Sequence, residues 1–119
     1  MILDKDLIRQ ILLYVEENGN DKLPVYNIEI DGYTDEEIKY HFKRLLEADI
    51  INGEVIGLQG NKIRFNCLTW YGHEYLDSIR DKGLWEKVKR DIEVYGIKSV
   101  TLDIIKAYAE KIIKEKLGI

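Results

Sequence analysis

Apolar side chains recur at Leu7, Ile8, Ile11, Leu12 and Val15, with polar residues filling the gaps. Spacings of three and four put these five on one side of a helix, so residues 4–17 are predicted to be helical with one buried face. Asn18-Gly19 ends the helix, Gly19 being free to take the left-handed conformation that closes helices, and Pro24 keeps the chain extended just beyond. The period then changes to two. Tyr26, Ile28 and Ile30 alternate with Asn27 and Glu29 as a half-buried strand does, and Asp31-Gly32 turns the chain. A helical period returns after Thr34, which caps the next helix; Glu37 completes a capping box, and Asp35 and Glu36 suit the positive end of the helix dipole. Ile38, Phe42, Leu45 and Leu46 form its buried stripe, and it is predicted to finish near Asp49.

Residues 50–58 and 62–68 are strand-like and joined through Gln59-Gly60-Asn61, which predicts a hairpin. On its second strand Ile63, Phe65 and Cys67 are expected on one face, and Lys62, Arg64 and Asn66 on the other. Thr69 is a cap for a following helix with Tyr75, Leu76 and Ile79 inward, interrupted at Asp81-Lys82-Gly83. Helix resumes over residues 84–95 and again over 101–117, where Ile105, Tyr108, Ala109, Ile112 and Ile113 repeat. Five helical segments and a small sheet predict an α+β fold. Their order reads as a winged-helix-like domain with a small antiparallel hairpin and extra C-terminal helices: one domain over 1–119, with its core in 1–80 and a helical extension in 81–119.

Composition narrows the class. A chain of 119 residues that is 45% hydrophobic and 34% charged, with one Pro, holds one core and no disordered tract. No apolar run approaches the roughly 20 residues of a membrane span, and the opening Met1-Ile2-Leu3-Asp4-Lys5-Asp6 lacks a signal peptide's basic start. Cys67 is the single cysteine, which excludes an intramolecular disulfide and a cysteine-cluster zinc site. A soluble cytoplasmic protein with no membrane partner is expected. Charge is uneven: the net is −4 over residues 1–33, −3 over 34–60, +1 over 61–96 and +2 over 97–119.

No arrangement of residues suggests catalysis, so an enzyme is not expected and no catalytic, cofactor-binding or metal-binding residue is assigned. His41 and His73 are the only histidines. His73 and Asp77 stand one helical turn apart, but a zinc ion needs three or four protein ligands. His73 is expected to pack under the hairpin and hydrogen-bond locally, His41 to flank the buried stripe, and Cys67 to be a small, inert core residue. Trp85 is ambiguous, since Leu84, Trp85, Val88 and Ile92 form an apolar patch that either closes on the core or receives a partner.

The strongest resemblance rests on Leu45-Leu46-Glu47-Ala48-Asp49-Ile50-Ile51, on residues 68–80 with the pattern Leu-Thr-Trp-x-Gly-His-Glu-x-Leu-Asp, and on Leu84-Trp85-Glu86-Lys87-Val88-Lys89. These resemble a family of small bacterial and prophage proteins catalogued as domain of unknown function 2513, and the similarity runs from Leu7 to Leu117. The resemblance implies a winged-helix-like fold and a phage or mobile-element setting, and no chemistry. More distantly, Leu-Thr-x-x-Gly after a hairpin is similar to winged-helix transcription regulators.

A helix-turn-helix requires a supporting helix before the recognition helix, and residues 18–33 show no helical period. On the predicted recognition helix the outward face carries Glu36, Glu37, Tyr40, Lys43, Arg44 and Glu47, and its leading end is Asp35-Glu36-Glu37. Phosphate contacts supply most of the affinity for nucleic acid, so an acidic leading end opposes it. The expectation is a non-enzymatic binding module of phage or mobile-element type, with Asp35, Glu36, Glu37 and Trp85 as candidate contacts to a protein partner. The alternative is a DNA-binding transcriptional regulator using Tyr40, Lys43 and Arg44 with Lys62 and Arg64 on the wing. The chain is expected to be a monomer, or a homodimer through its C-terminal helices.

Overall fold

The computed structural model describes residues 1–119. The first helix, α1 (Lys5–Asn18), is opened by the Asp4 carboxylate, which accepts the Leu7 N–H at 3.1 Å. Its apolar stripe is wholly inside, with Leu7, Ile11, Leu12 and Val15 at 0% exposure. Strand β1 (Val25–Tyr26) follows, then α2 (Asp35–Glu47), strands β2 (Ile51–Ile56) and β3 (Lys62–Leu68), and helices α3 (Trp70–Ile79), α4 (Lys82–Val94) and α5 (Leu102–Leu117). The strands pair antiparallel in the order β1-β3-β2. Five helices and this three-stranded sheet make an α+β fold. No helix is long and apolar enough to cross a membrane.

The chain forms two compact units, residues 1–73 and 74–119, with α3 beginning in the first and continuing in the second. In the first unit, α1 packs on β3 and α2 on β2 and β3. Ile63 and Phe65 are buried under them, and Tyr14 meets the Phe65 ring edge-on at 6.1 Å. The capping box of α2 forms as predicted: Thr34 Oγ1 accepts the Glu37 N–H and Glu37 Oε1 accepts the Thr34 N–H. Burying each large aliphatic or aromatic side chain of this core contributes about 1.5–3 kcal/mol. In the second unit, Asp81 caps α4 through the Leu84 N–H and Thr101 caps α5 through the Ile104 N–H. The end of α4 closes with the Gly96 N–H on the Glu93 carbonyl and the Ile97 N–H on the Ile92 carbonyl, with Gly96 at φ 68. This is the six-to-one and five-to-two pairing that a left-handed glycine permits.

Several expectations are corrected. Gly19 is not left-handed: its φ is −85, and its role is close approach, because a Cβ there would lie 2.1 Å from the Asn66 carbonyl oxygen. The strand expected over residues 25–30 is only Val25–Tyr26, since Asn27 turns at φ 67; Tyr26 is exposed while Ile28 is buried. The hairpin is shorter than its sequence pattern, with residues 58–60 in a 3-10 turn. Cys67 is half-buried and does not continue the Ile63–Phe65 face. The pairing moves from Gly53 opposite Phe65 to Asn52 opposite Cys67, leaving Asn66 as an extra residue that flips the alternation and turns Leu68 inward instead. Leu46, Tyr108 and Ile113 are half-buried, at the margins of stripes whose centres are Phe42, Ala109 and Ile112. The helix placed at 84–95 begins two residues earlier, because Asp81 caps it.

Candidate functional site

The leading end of α2 is held by its capping box, and this divides the three acids. Glu37 is committed to the cap, and the hydrogen bonds from Thr34 hold its carboxyl below the usual range. Asp35 and Glu36 are exposed at the same end. Further along, Tyr40, Lys43 and Arg44 are half-buried on the helix flank away from Ile38, Phe42 and Leu45. The structure brings two of them together: the Arg44 guanidinium lies 4.9 Å from the Tyr40 ring centre and donates to Glu47 at 2.9 Å. Arg64 is engaged as well, paired across the hairpin with Glu54, its opposite residue in the register. Lys43 and Lys62 stand outside every ion pair. Arg64 alternates with the buried Ile63 and Phe65 and so lies on the other face of β3, and Tyr40 and Lys43 lie on the outer side of α2.

Trp85 does not offer the contact surface expected of it. It is 2% exposed, with the Lys89 ammonium 5.8 Å from the ring centre. It lies one turn into α4 and packs inward with Leu84 and Val88. The exposed indole is that of Trp70, at 81%. His73 is also exposed instead of packed under the hairpin, with Nδ1 3.7 Å from Glu16 Oε2. His41 is fully interior: Nε2 accepts the Asp4 N–H at 2.8 Å, which assigns the ring proton to Nδ1, 2.7 Å from the Glu37 carbonyl. It ties the start of α1 to α2, a structural task. The Cys67 thiol donates to Asp21 at 3.3 Å, and burial together with that carboxylate pushes its pKa up, away from nucleophile chemistry. No three His, Cys, Asp or Glu side chains are grouped to hold a metal ion.

The residues of the signature around Thr69 turn out to be a clamp. Thr69 Oγ1 donates to the Asp49 carbonyl at 2.6 Å and accepts the Gly72 N–H at 3.0 Å, while the Thr69 N–H donates to the Ile50 carbonyl. Gly72 lets the first turn of α3 lie against Ile50, whose carbonyl oxygen would stand 2.2 Å from a Cβ.

One feature of the first unit was not legible beforehand. A cleft of about 570 Å³ opens between α1 and the segment before α2, lined by Asp6, Gln10, Tyr14 and Glu17 from the helix and by Glu29, Asp31 and Tyr33 from the segment, with no basic residue. Burial, reinforced by Asp4 and Asp6, raises the Tyr33 phenol above its ordinary pKa. The outward spacing of Asp6, Gln10, Tyr14 and Glu17 and the net of −4 over residues 1–33 were the available signals. The two halves of the cleft meet only in the folded unit.

A family model described as "Hypothetical protein (DUF2513)" matches residues 2–98. An uncharacterized protein of Haemophilus influenzae (strain ATCC 51907 / DSM 11121 / KW20 / Rd) is 34% identical over 114 residues, which cover 95% of this chain and 96% of the relative. No solved structure matches the chain.

Proposed function

The chain belongs to the DUF2513 family of hypothetical proteins, and on that premise we propose that it is a binding protein without catalytic function, one that engages another protein through an acidic surface. The scaffold in this reading is a degenerate winged helix. Helix, strand, helix and hairpin follow in that order with the sheet running β1-β3-β2, and no helix stands between β1 and α2. The observation that carries the reading is electrostatic. Residues 1–73 hold 13 acidic against 8 basic side chains, a net of −5. Asp35 and Glu36 occupy the helix end that would lead into a groove, the cleft beside α1 carries Asp6, Glu17, Glu29 and Asp31 and no basic residue, and Arg44 and Arg64 are already engaged with carboxylates. Such a surface repels phosphate and suits a positively charged protein segment. A phage or mobile-element role, modulating host machinery, belongs to the same reading.

A second reading, a DNA-binding regulator, is favoured by one observation: Lys43 and Lys62 remain outside ion pairs and are available to phosphate oxygens. Fluorescence anisotropy with random and genomic duplexes at two salt concentrations separates the two. Under the first reading duplex affinity is absent at low salt, and affinity capture recovers a partner that is lost when Glu36 and Asp31 are reversed to Lys. Salt-sensitive duplex binding that disappears with Lys43→Ala and Lys62→Ala would replace it with the second.

A further inference from the structure

The tie that His41 makes between α1 and α2 is conditional on charge. The ring is 1% exposed and used at both nitrogens: Nδ1 donates to the Glu37 carbonyl one turn back on its own helix, and Nε2 accepts the Asp4 N–H at 2.8 Å. The two bonds respond differently to a proton. An imidazolium is a donor at both nitrogens, so the bond to Glu37 survives protonation, whereas a proton on Nε2 meets the Asp4 N–H head on. The ring stays anchored on α2, and what yields is Asp4.

Asp4 is placed to yield locally. Its carboxylate caps α1 through the Leu7 N–H and also accepts the Tyr33 hydroxyl. Ahead of it Met1, Ile2 and Leu3 are all exposed, so its movement uncovers no buried apolar side chain before Leu7. The titratable groups around the contact are Asp4, Lys5 and Asp6 at the start of α1, Tyr33 from the segment before α2, and Glu37 and Tyr40 on α2 itself. Arg44, stacked on Tyr40, is paired with Glu47. The carboxylates of Asp4, Asp6 and Glu37 outweigh the Lys5 ammonium and favour an imidazolium, while the Asp4 N–H forbids one. A turn of Asp4 that removes the N–H and brings up the carboxylate satisfies both. We infer that His41 is a proton-operated latch: neutral, it fastens the start of α1 to α2; protonated, it exchanges the Asp4 N–H for the Asp4 carboxylate, uncaps α1 and frees Tyr33. Tyr33 and Asp6 line the cleft beside α1, so that wall loosens when the latch opens. The closed latch binds one proton fewer than the open one, so acid favours opening and higher pH favours closure. The latch is independent of what the cleft binds.

The test is heteronuclear NMR of the nitrogen-labelled chain between about pH 8 and pH 5. At the upper end His41 is expected to carry its proton on Nδ1 alone. As Nε2 gains a proton, the Asp4 and Leu7 amides lose hydrogen-exchange protection by about 10-fold or more, while Leu12 and Val15, farther along α1, keep theirs. His41→Gln, whose side-chain oxygen reaches the Nε2 position without titrating, keeps Asp4 protected throughout. A proton on Nε2 at the upper end overturns the latch, as does a charged His41 with Asp4 still protected. A His41 that stays neutral until Leu12 and Val15 lose protection as well overturns it too, because the unit then unfolds as a whole. So does His41→Gln with the parent's pH dependence. The readings on the unaltered chain decide the matter even if His41→Gln fails to fold.

Discussion

Residues 1–73 and 74–119 are built from the same parts, capped helices with one buried stripe each, yet they are finished in different ways. The first unit is closed by backbone against backbone. Its sheet is paired antiparallel, α1 runs so close to β3 that Gly19 has no room for a side chain, and Thr69 and Gly72 fasten the start of α3 to Ile50. Its charge is net acidic, at −5. The second unit has no sheet, joins α4 to α5 through side chains such as the Tyr108–Asp91 pair, and leaves Val94, Tyr95, Ile97 and Ile104 in the open. Main-chain closure leaves no room for a side chain at Gly19 or Gly72, whereas the helix pair is closed by side chains and leaves apolar residues clustered around one turn exposed. The two halves thus differ in how they are closed, one by main chain and the other by side chains.

The sharpest test of that contrast is glycine. Gly72→Ala or Gly19→Ala drives a methyl group into a carbonyl oxygen and is expected to cost about 4 kcal/mol or more, read from urea unfolding. Gly83→Ala, in the first turn of α4, meets only the flexible Asp81 carboxylate at 3.3 Å and should stabilise by about 0.5 kcal/mol through helix propensity. Equal losses at the three sites would erase the distinction. Next in size is His41→Phe, which fills the space but orphans the Asp4 N–H; a loss of about 1–3 kcal/mol is expected in the same unfolding assay. Thr69→Val keeps the shape and removes both the cap and the bond to Asp49, for about 1–2 kcal/mol.

The smallest effect belongs to the second unit. The hydrogen bond to Asp91 pushes the Tyr108 pKa up to about 12, and the same bond holds the Asp91 carboxyl below its ordinary value. A raised phenol contributes stability that is complete below the ordinary tyrosine range and is lost as pH climbs through about 12. The depressed carboxyl contributes above the ordinary carboxylate range, and its share is lost as pH falls through the lowered folded value. In a tyrosinate absorbance titration Tyr108 should therefore ionise late, as Tyr33 also should for its own reasons, and Asp91→Asn should bring Tyr108 back to lower pH while leaving Tyr33 unmoved. A titration unchanged by Asp91→Asn would show that the helix pair is not held through this bond.

The sequence by itself determined the parts whose physics is local. The periods of α1, α2 and α5, the Thr34–Glu37 box, the Thr69 cap and the inward turn of Tyr75, Leu76 and Ile79 all depend on residues three or four apart, so they were readable in one dimension. The acidic leading end of α2 was readable for the same reason. Only the tertiary structure decided the rest. Gly19 ends α1 as expected, but the need for a glycine there comes from the backbone of Asn66, far away in the chain, and not from a left-handed conformation. Cys67 left the core because an extra residue in the pairing of β2 and β3 reverses the alternation, something one strand cannot report about itself. Trp85 went inside and Trp70 stayed out, a choice made by which face of each helix the packing closed over. The acidic cleft draws its two walls from α1 and from the segment before α2, and an apolar groove in the second unit draws its walls from α4, α5 and the turn between them. Capping and periodicity are written in neighbouring residues; close approach, register and concavity arise between segments that meet only when the chain has folded.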